Sequence, residues 1–440
     1  MFFGLISSLY FYVYEIGILN PCMSEDIYIG LDIGSHTIRV AVGKSLPSPD
    51  GKEQIHMIGA VESPSRGIHK GTITNLEDAV ASVSKALEQS ERITGLPLRG
   101  AWVGISGSHI ISQESRGVIG VARHDGEIRD EDVERAIEAA RTVATPTNYE
   151  ILHVIPKSFI VDGQHGVKDP VGMNGIRLEV DALIIQGLSS QIKNLTKCVY
   201  RTGLDIEDVV FSILATSESV VTDRQKDLGV CVVNIGASTT SLVIFEEGDI
   251  LHTAVLPMGS DHITSDIAIG LRTSIEVAEQ VKLRYANASP EDVSKKDMIN
   301  LAELGALEEE MVGRRFVSDI VEARVQEIFE RVDQELEKAG RSGMLPSGVV
   351  LTGGGSKLSG ILEVAKQTLR LPVSLGVPIG VTSVIDRVSD PGMTTAIGLV
   401  LWGKQIRGES RKGIGGMLKN VKQLDRVGDI FKKIFSSLRP

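Results

Sequence analysis

Tyr28-Ile-Gly-Leu-Asp-Ile-Gly-Ser-His-Thr-Ile-Arg-Val-Ala-Val-Gly43 is the stretch on which the fold turns. Apolar and β-branched residues lead up to Asp32, break at Gly34-Ser35 and resume, so 28–43 reads as a strand, a turn and a strand. Taken alone, D-x-G is a common turn with an exposed aspartate. The sharper reading is a phosphate cradle. There Asp32 faces a metal ion, and Gly34 and Ser35 present backbone N–H groups to a polyphosphate. The rest of the chain decides between the two.

The opening pattern comes back. Gly229-Val-Cys-Val-Val-Asn-Ile-Gly-Ala-Ser-Thr-Thr-Ser-Leu-Val-Ile-Phe245 is again strand, glycine-containing turn, strand, with Asn234 lying 202 residues after Asp32. A third strand follows each hairpin, near 55–61 and over Ile250–Leu256, and each runs into a proline. The same unit in two halves of similar size indicates internal duplication. Two facing hairpins could then grip one polyphosphate. Two further elements fit that geometry. Val349-Val-Leu-Thr-Gly-Gly-Gly-Ser-Lys357 is a strand running into three glycines, with a helix expected from about Leu358. Glycines admit a ligand close to the backbone, and a helix N-terminus favours negative charge. Glu279 and Lys282 share one face of a helix expected over 274–286. Singly they read as a surface ion pair; beside a nucleotide they are placed for ribose hydroxyls and adenine edges.

The bulk numbers narrow the class. A chain of 440 residues is too long for one simple core. Hydrophobic residues at 42% and charged ones at 23% describe a soluble globular protein. A net charge of −11 argues against general nucleic-acid binding. Cys22, Cys198 and Cys231 are too few and too scattered for a disulfide framework or a zinc site, and fit a reducing cytoplasm. Further elements are expected as a helix over 76–94, a strand-like run over 101–112, a helix over 130–143 capped by Asp130, strands at 150–161 and 176–187, and a helix over 189–202. The first 22 residues are apolar and aromatic, lack a basic n-region and contain Glu15. Met23 is the expected true start, with a weak membrane segment as the lesser reading.

With these elements in order, the chain resembles the actin-like ATPase superfamily. The resemblance rests on the first loop (Asp32–Thr37), the second loop (Asn234–Thr240), the Gly353–Gly355 loop and the connector Asp390–Gly398, DPGMTTAIG. Within that superfamily it is similar to the FtsA family of bacterial cell-division proteins over about residues 27–440. LRGAWVGISGSHI, SDIAIGLRTSIEVAEQVKLRYA and a basic amphipathic tail select this branch. The resemblance implies an α/β fold of two duplicated halves around a nucleotide cleft, with an inserted α/β subdomain and a C-terminal amphipathic helix. It implies ATP and Mg²⁺ as ligands, the metal held by Asp32 through water. The nucleotide contacts it implies are Asp32, Gly34, Ser35, His36, Asn234, Gly236, Ala237, Ser238, Thr239, Glu279, Lys282, Gly353, Gly354, Gly355 and Lys357.

The domain order expected from the resemblance is a leader (1–26), the first half (27–100), the insertion (101–185), a return to the first half (186–228) and the second half (229–402). A partner-binding subdomain falls at about 260–345, a flexible basic linker at 403–424 and a membrane-targeting helix at 425–440. The function implied is a scaffold that polymerises on the cytoplasmic face of the inner membrane, as a peripheral protein at the division site. It would tether the tubulin-like FtsZ ring by the FtsZ C-terminal tail and recruit later divisome proteins. Arg314, Arg315 and Arg324 are the candidates to meet that acidic tail. The rivals are a pilus-assembly actin homologue, a small-molecule kinase of the same superfold and a chaperone ATPase.

Two positions depart from the family pattern. The second loop usually reads D-x-G-G-G-T, whereas Asn234 stands here in place of the Asp, and Ser212 stands where active relatives often carry a Glu. Neither residue is an effective base at neutral pH, so binding is expected with weak or absent hydrolysis, and no catalytic residue is assigned. In the tail, Val427, Ile430, Phe431, Ile434, Phe435 and Leu438 fall on one helical stripe about 140° wide. Lys432 and Lys433 lie on or beside the other face, and residues 404–440 carry ten Lys/Arg against three Asp/Glu. That pattern suits a helix lying in an anionic lipid surface rather than spanning it.

Overall fold

The computed structural model describes residues 27–47, 53–142 and 146–412. The leader and the expected membrane helix, with all eight of its named side chains, lie outside the described residues. Two sheets of matching topology organise the molecule. In the first half the hairpin Ile27–Ile33 and Thr37–Pro47 continues antiparallel into Glu53–Pro64. On its other side Ile27–Ile33 pairs parallel with Gly100–Ile105, which pairs parallel with Asp205–Phe211. The second half repeats this. Val230–Ile235, Thr240–Glu246 and Asp249–Leu256 run antiparallel, and Val230–Ile235 pairs parallel with Val349–Thr352, which pairs with Val373–Leu375. The duplication extends to register. Asp32 opposes Arg39 in the first hairpin, and Asn234 opposes Ser241, each shifted by the same 202 residues, in the second.

The alternation in these strands is weak because both faces of each sheet are covered, and near-continuous runs of Val and Ile satisfy that environment. Leu31, Val40 and Val42 are fully buried in one half, as are Val233, Leu242 and Ile244 in the other. Helix Leu76–Thr94 covers the first sheet. Asn75 caps it by accepting from the Glu77 and Asp78 N–H groups, and Gly95 ends it at φ 70°.

The insertion is a four-stranded antiparallel sheet, Ile110–Gly120, Arg177–Leu188, Tyr149–Val161 and Gln164–Val167, backed by helix Asp130–Thr142 with its own apolar cluster. The run expected as one strand over 101–112 is split: Gly100–Ile105 belongs to the first-half sheet and Ile110–Gly120 to the insertion. The expected boundary at 101 therefore includes a strand of the first half. Helix Asp130–Thr142 begins at Asp130 itself, and the Arg129 N–H bonds Asp132 instead.

Two helices form the joint between the halves, Ser212–Val220 and Thr394–Lys412. They cross so closely at Gly398 that an added Cβ would lie 1.9 Å from the Ala215 carbonyl oxygen. The second helix also corrects the expected linker at 403–424, because it runs on to Lys412. Gly403 seats against the Trp102 ring, Arg407 stacks over Trp102 at 4.7 Å, and its Nη2 donates to Glu207 at 3.1 Å. Among the described residues, no helix is long and apolar enough to cross a membrane.

Candidate functional site

The two hairpin turns close in the same way. Gly34 N–H donates to the Thr37 carbonyl at 3.1 Å, and Gly236 N–H donates to the Thr239 carbonyl at 2.9 Å. A Cβ at Gly34 would meet that carbonyl oxygen at 2.7 Å, so the turn requires glycine. The turns face each other across a cavity of about 500 Å³ between the halves. All fifteen residues read from the sequence as nucleotide contacts line it, as does Ser212. Arg39, Glu62, Ser106, Asp261 and Thr395 line it too, and sequence reading missed them.

The floor is a web of short hydroxyls. Asn234 Nδ2 donates to Thr395 Oγ1 at 3.0 Å and Thr216 Oγ1 at 3.4 Å, and those two hydroxyls lie 2.9 Å apart. Thr352 and Thr394 join through their hydroxyls at 2.7 Å. Asn234 is therefore bonded into the joint between the halves. Gly353, at φ 86°, lies against it: a Cβ there would fall 2.3 Å from Asn234 Oδ1. Beyond the glycines, Gly354–Lys357 is a 3₁₀ turn and the helix begins at Ile361. The helix N-terminus expected at Leu358 is thus displaced by three residues, and Gly353–Gly355 form that wall with Lys357, Leu358 and Ser359.

Asp32 is half-buried at the cavity edge. Burial pushes its carboxyl up to about 6, with Arg39 opposing. A divalent cation beside it would favour the charged form and offset that penalty. Among the described residues no group of three or more metal-binding side chains assembles. Mg²⁺ characteristically keeps several waters and takes one or two carboxylates plus ligand phosphates. Asp32 fits that role, with the remaining donors coming from a nucleotide.

On the opposite wall, Lys282 Nζ lies 2.7 Å from Glu279 Oε2 and donates to Thr264 at 2.8 Å. Burial raises the Glu279 carboxyl, but the hydrogen bonds from Lys282 and Thr264 outweigh it and leave the pKa below the ordinary value. The pair is the ion pair of the bland reading, and it lines the cavity. Lys357 donates to Asp390 at 2.9 Å. Ser212 opens its joint helix and is buried.

The three arginines expected at a partner surface sit on helix Arg314–Lys338, away from the cavity. Arg324 is committed to Asp266, at 2.9 Å through Nη2, and to Glu327. Arg314 Nε donates to the Tyr285 carbonyl. Phe316, half exposed beside them, and the exposed Ile269 supply apolar surface that the charge pattern did not announce.

Two matching half-sheets, two turns of like geometry and a cleft between them define the actin-like ATPase fold. Two solved structures share it: the PilM-PilN type IV pilus biogenesis complex, at TM-score 0.62 and 17% identity, covering 86% of this chain and 98% of that one, and MreB5 of Spiroplasma citri bound to ADP, at TM-score 0.53 and 12% identity, covering 88% and 99%. At these identities the likeness concerns the fold. Within it, the chain belongs to the FtsA family of cell division proteins. The profile described as "Cell division protein FtsA" matches residues 231–398, and that described as "SHS2 domain inserted in FTSA" matches 107–186. "Cell division protein FtsA" of Pseudomonas aeruginosa is 38% identical over 87% of this chain and 90% of its own length. That of Bacillus subtilis is 37% identical over 86% and 83%.

Proposed function

We propose that this division protein binds ATP with Mg²⁺ between its halves and uses it as a conformational ligand with little or no turnover. The observation that carries this is the convergence on one cavity of all fifteen residues that the sequence motifs and the resemblance single out. The backbones of Gly34–Ser35 and Gly236–Ser238 meet the phosphates, with the Gly34 and Gly236 N–H groups themselves spent on closing the turns; Asp32 holds Mg²⁺ through water, and Glu279 with Lys282 meets the nucleoside. Bound Mg²⁺ would supply charge neutralisation at the phosphates. The weak-hydrolysis reading rests on Asn234 and Ser212. An amide that donates to Thr395 cannot take a proton from water.

On family grounds the closed state assembles filaments on anionic membrane, attached by residues 425–440, and receives the acidic C-terminal tail of FtsZ. Arg315 and Phe316 are the better candidates for that tail, because Arg324 is already committed to acids of its own chain. Later divisome proteins and the division-site localisation follow from the same reading. Calorimetry with ATP and Mg²⁺ on the full chain should show one site, with phosphate release far below one per second. Turnover of several per second would overturn the weak-hydrolysis reading, and absence of nucleotide binding would overturn the site.

A further inference from the structure

The first hairpin carries a cation that the motif reading passed over. Arg39 lies cross-strand from Asp32, and Glu62 lies cross-strand from Arg39 on the next strand. Acid, base and acid thus form one row, and all three line the cleft. The guanidinium reaches toward the second half. A Cβ added at Gly392 would lie 3.2 Å from Nη2 and 3.3 Å from Nε, and one at Gly354 would lie 3.7 Å from Nη2. The side chain is 14% exposed. Nη2 donates to Glu62 Oε1 at 2.7 Å, while Nε is buried without a partner.

A buried guanidinium N–H without an acceptor is a costly state, and it asks for a ligand. The other Lys and Arg side chains along the described cavity wall are committed: Lys282 to Glu279 and Thr264, and Lys357 to Asp390. The duplicated register sharpens the contrast. The residue equivalent to Arg39 in the second hairpin is Ser241, whose hydroxyl is satisfied by Ser106 across the cleft at 3.0 Å. Both hairpins therefore reach over to the opposite half at the same position, one with a short satisfied group and one with a long cation holding a donor in reserve. The wall also carries four acids, Asp32, Glu62, Asp261 and Glu279, against three Lys and Arg. A polyphosphate entering it needs a cation that can turn to meet it.

With the nucleoside at Glu279 and Lys282, the phosphate farthest from the base lies on the Asp32 side. We propose that Arg39 is the terminal-phosphate contact of this cleft: held by Glu62 through one nitrogen when no triphosphate is present, and turned to give Nε and a terminal nitrogen to the γ-phosphate when one is. This rests on the nucleotide reading above. Arg39 then discriminates triphosphate from diphosphate, Glu62 competes for it, and engagement draws the first hairpin toward the Gly354 and Gly392 wall.

The test is calorimetry on the full chain with ATP and with ADP, both with Mg²⁺. Arg39→Ala should lower ATP affinity about 10- to 100-fold and ADP affinity by less than about threefold. Arg39→Lys keeps the charge but loses the planar fork, so it should fall between. Glu62→Gln should raise the preference for ATP over ADP. The last two keep the test decisive if the alanine variant misfolds, with melting temperatures checking each. An ATP-to-ADP affinity ratio unchanged in all three overturns the inference. A parent chain that binds neither nucleotide defeats the cleft reading itself, a distinguishable result.

Discussion

At Asp32 the carboxyl is pushed up to about 6, chiefly because burial disfavours its charged form, with Arg39 pulling the other way. A folded-state pKa above the unfolded value of 3.8 means the folded chain holds the proton more tightly. Between pH 3.8 and about 6, stability of the ligand-free protein should therefore fall as pH rises. Asp32→Asn removes that penalty. It should stabilise the ligand-free chain at pH 7.5 by up to about 3 kcal/mol, and by nothing below pH 4, in urea titrations. The same variant should weaken Mg²⁺–ATP binding, since the amide gives the metal no charge. A variant less stable than the parent at pH 7.5 would mean that Asp32 serves the fold. Asp32 was legible because it punctuates an apolar strand at a glycine turn. Arg39 was not, because strand alternation does not say which face of a doubly covered sheet meets the cleft. The signal that could have found it is the hairpin register, which sets it opposite Asp32.

Among the elements, the strands and turns of both hairpins could be read from sequence because their spacing is set locally, by glycine and β-branched residues. The joint helices could be read only in part. Gly403 and Gly408 suggested a flexible segment, yet Gly403 is needed for contact with Trp102, and Arg407 ties the helix to the first half. A glycine demanded by close packing and a glycine in a linker look alike in one sequence. Gly398 is the severest case, with 1.9 Å to the Ala215 oxygen for any added Cβ. Neither backbone can retreat without shifting Thr216 and Thr395, which hold Asn234. Gly398→Ala should cost about 3 kcal/mol or more in urea unfolding. Gly120→Ala, at a site with nothing within 4 Å, should change stability by less than about 1 kcal/mol. Equal effects would show that the helices can part without loss.

At the scale of the whole molecule, the insertion is carried by the first half but rests on the second. Ser112 Oγ donates to the Thr253 carbonyl at 2.8 Å, and Lys157 Nζ to the Leu251 carbonyl at 3.5 Å. Both acceptors belong to Asp249–Leu256, the edge strand of the second-half sheet, and Lys168 pairs with Asp249 at its start. Among the described residues no backbone ladder joins the two sheets, so the contact can open without unravelling either. Opening the cleft separates the halves, and with the insertion fixed to one of them these side-chain bonds must break. Each is worth little alone, about 1 kcal/mol or less for an exposed pair. Together they set a modest brake on ligand escape. Ser112→Ala, Lys157→Ala and Lys168→Ala combined should leave the melting temperature of the ligand-free chain nearly unchanged while speeding release of a fluorescent ATP analogue about fivefold. Stopped-flow displacement measures that rate. If the triple variant releases nucleotide at the parent rate, the insertion moves independently of the cleft, and the bonds to the edge strand only shield that edge.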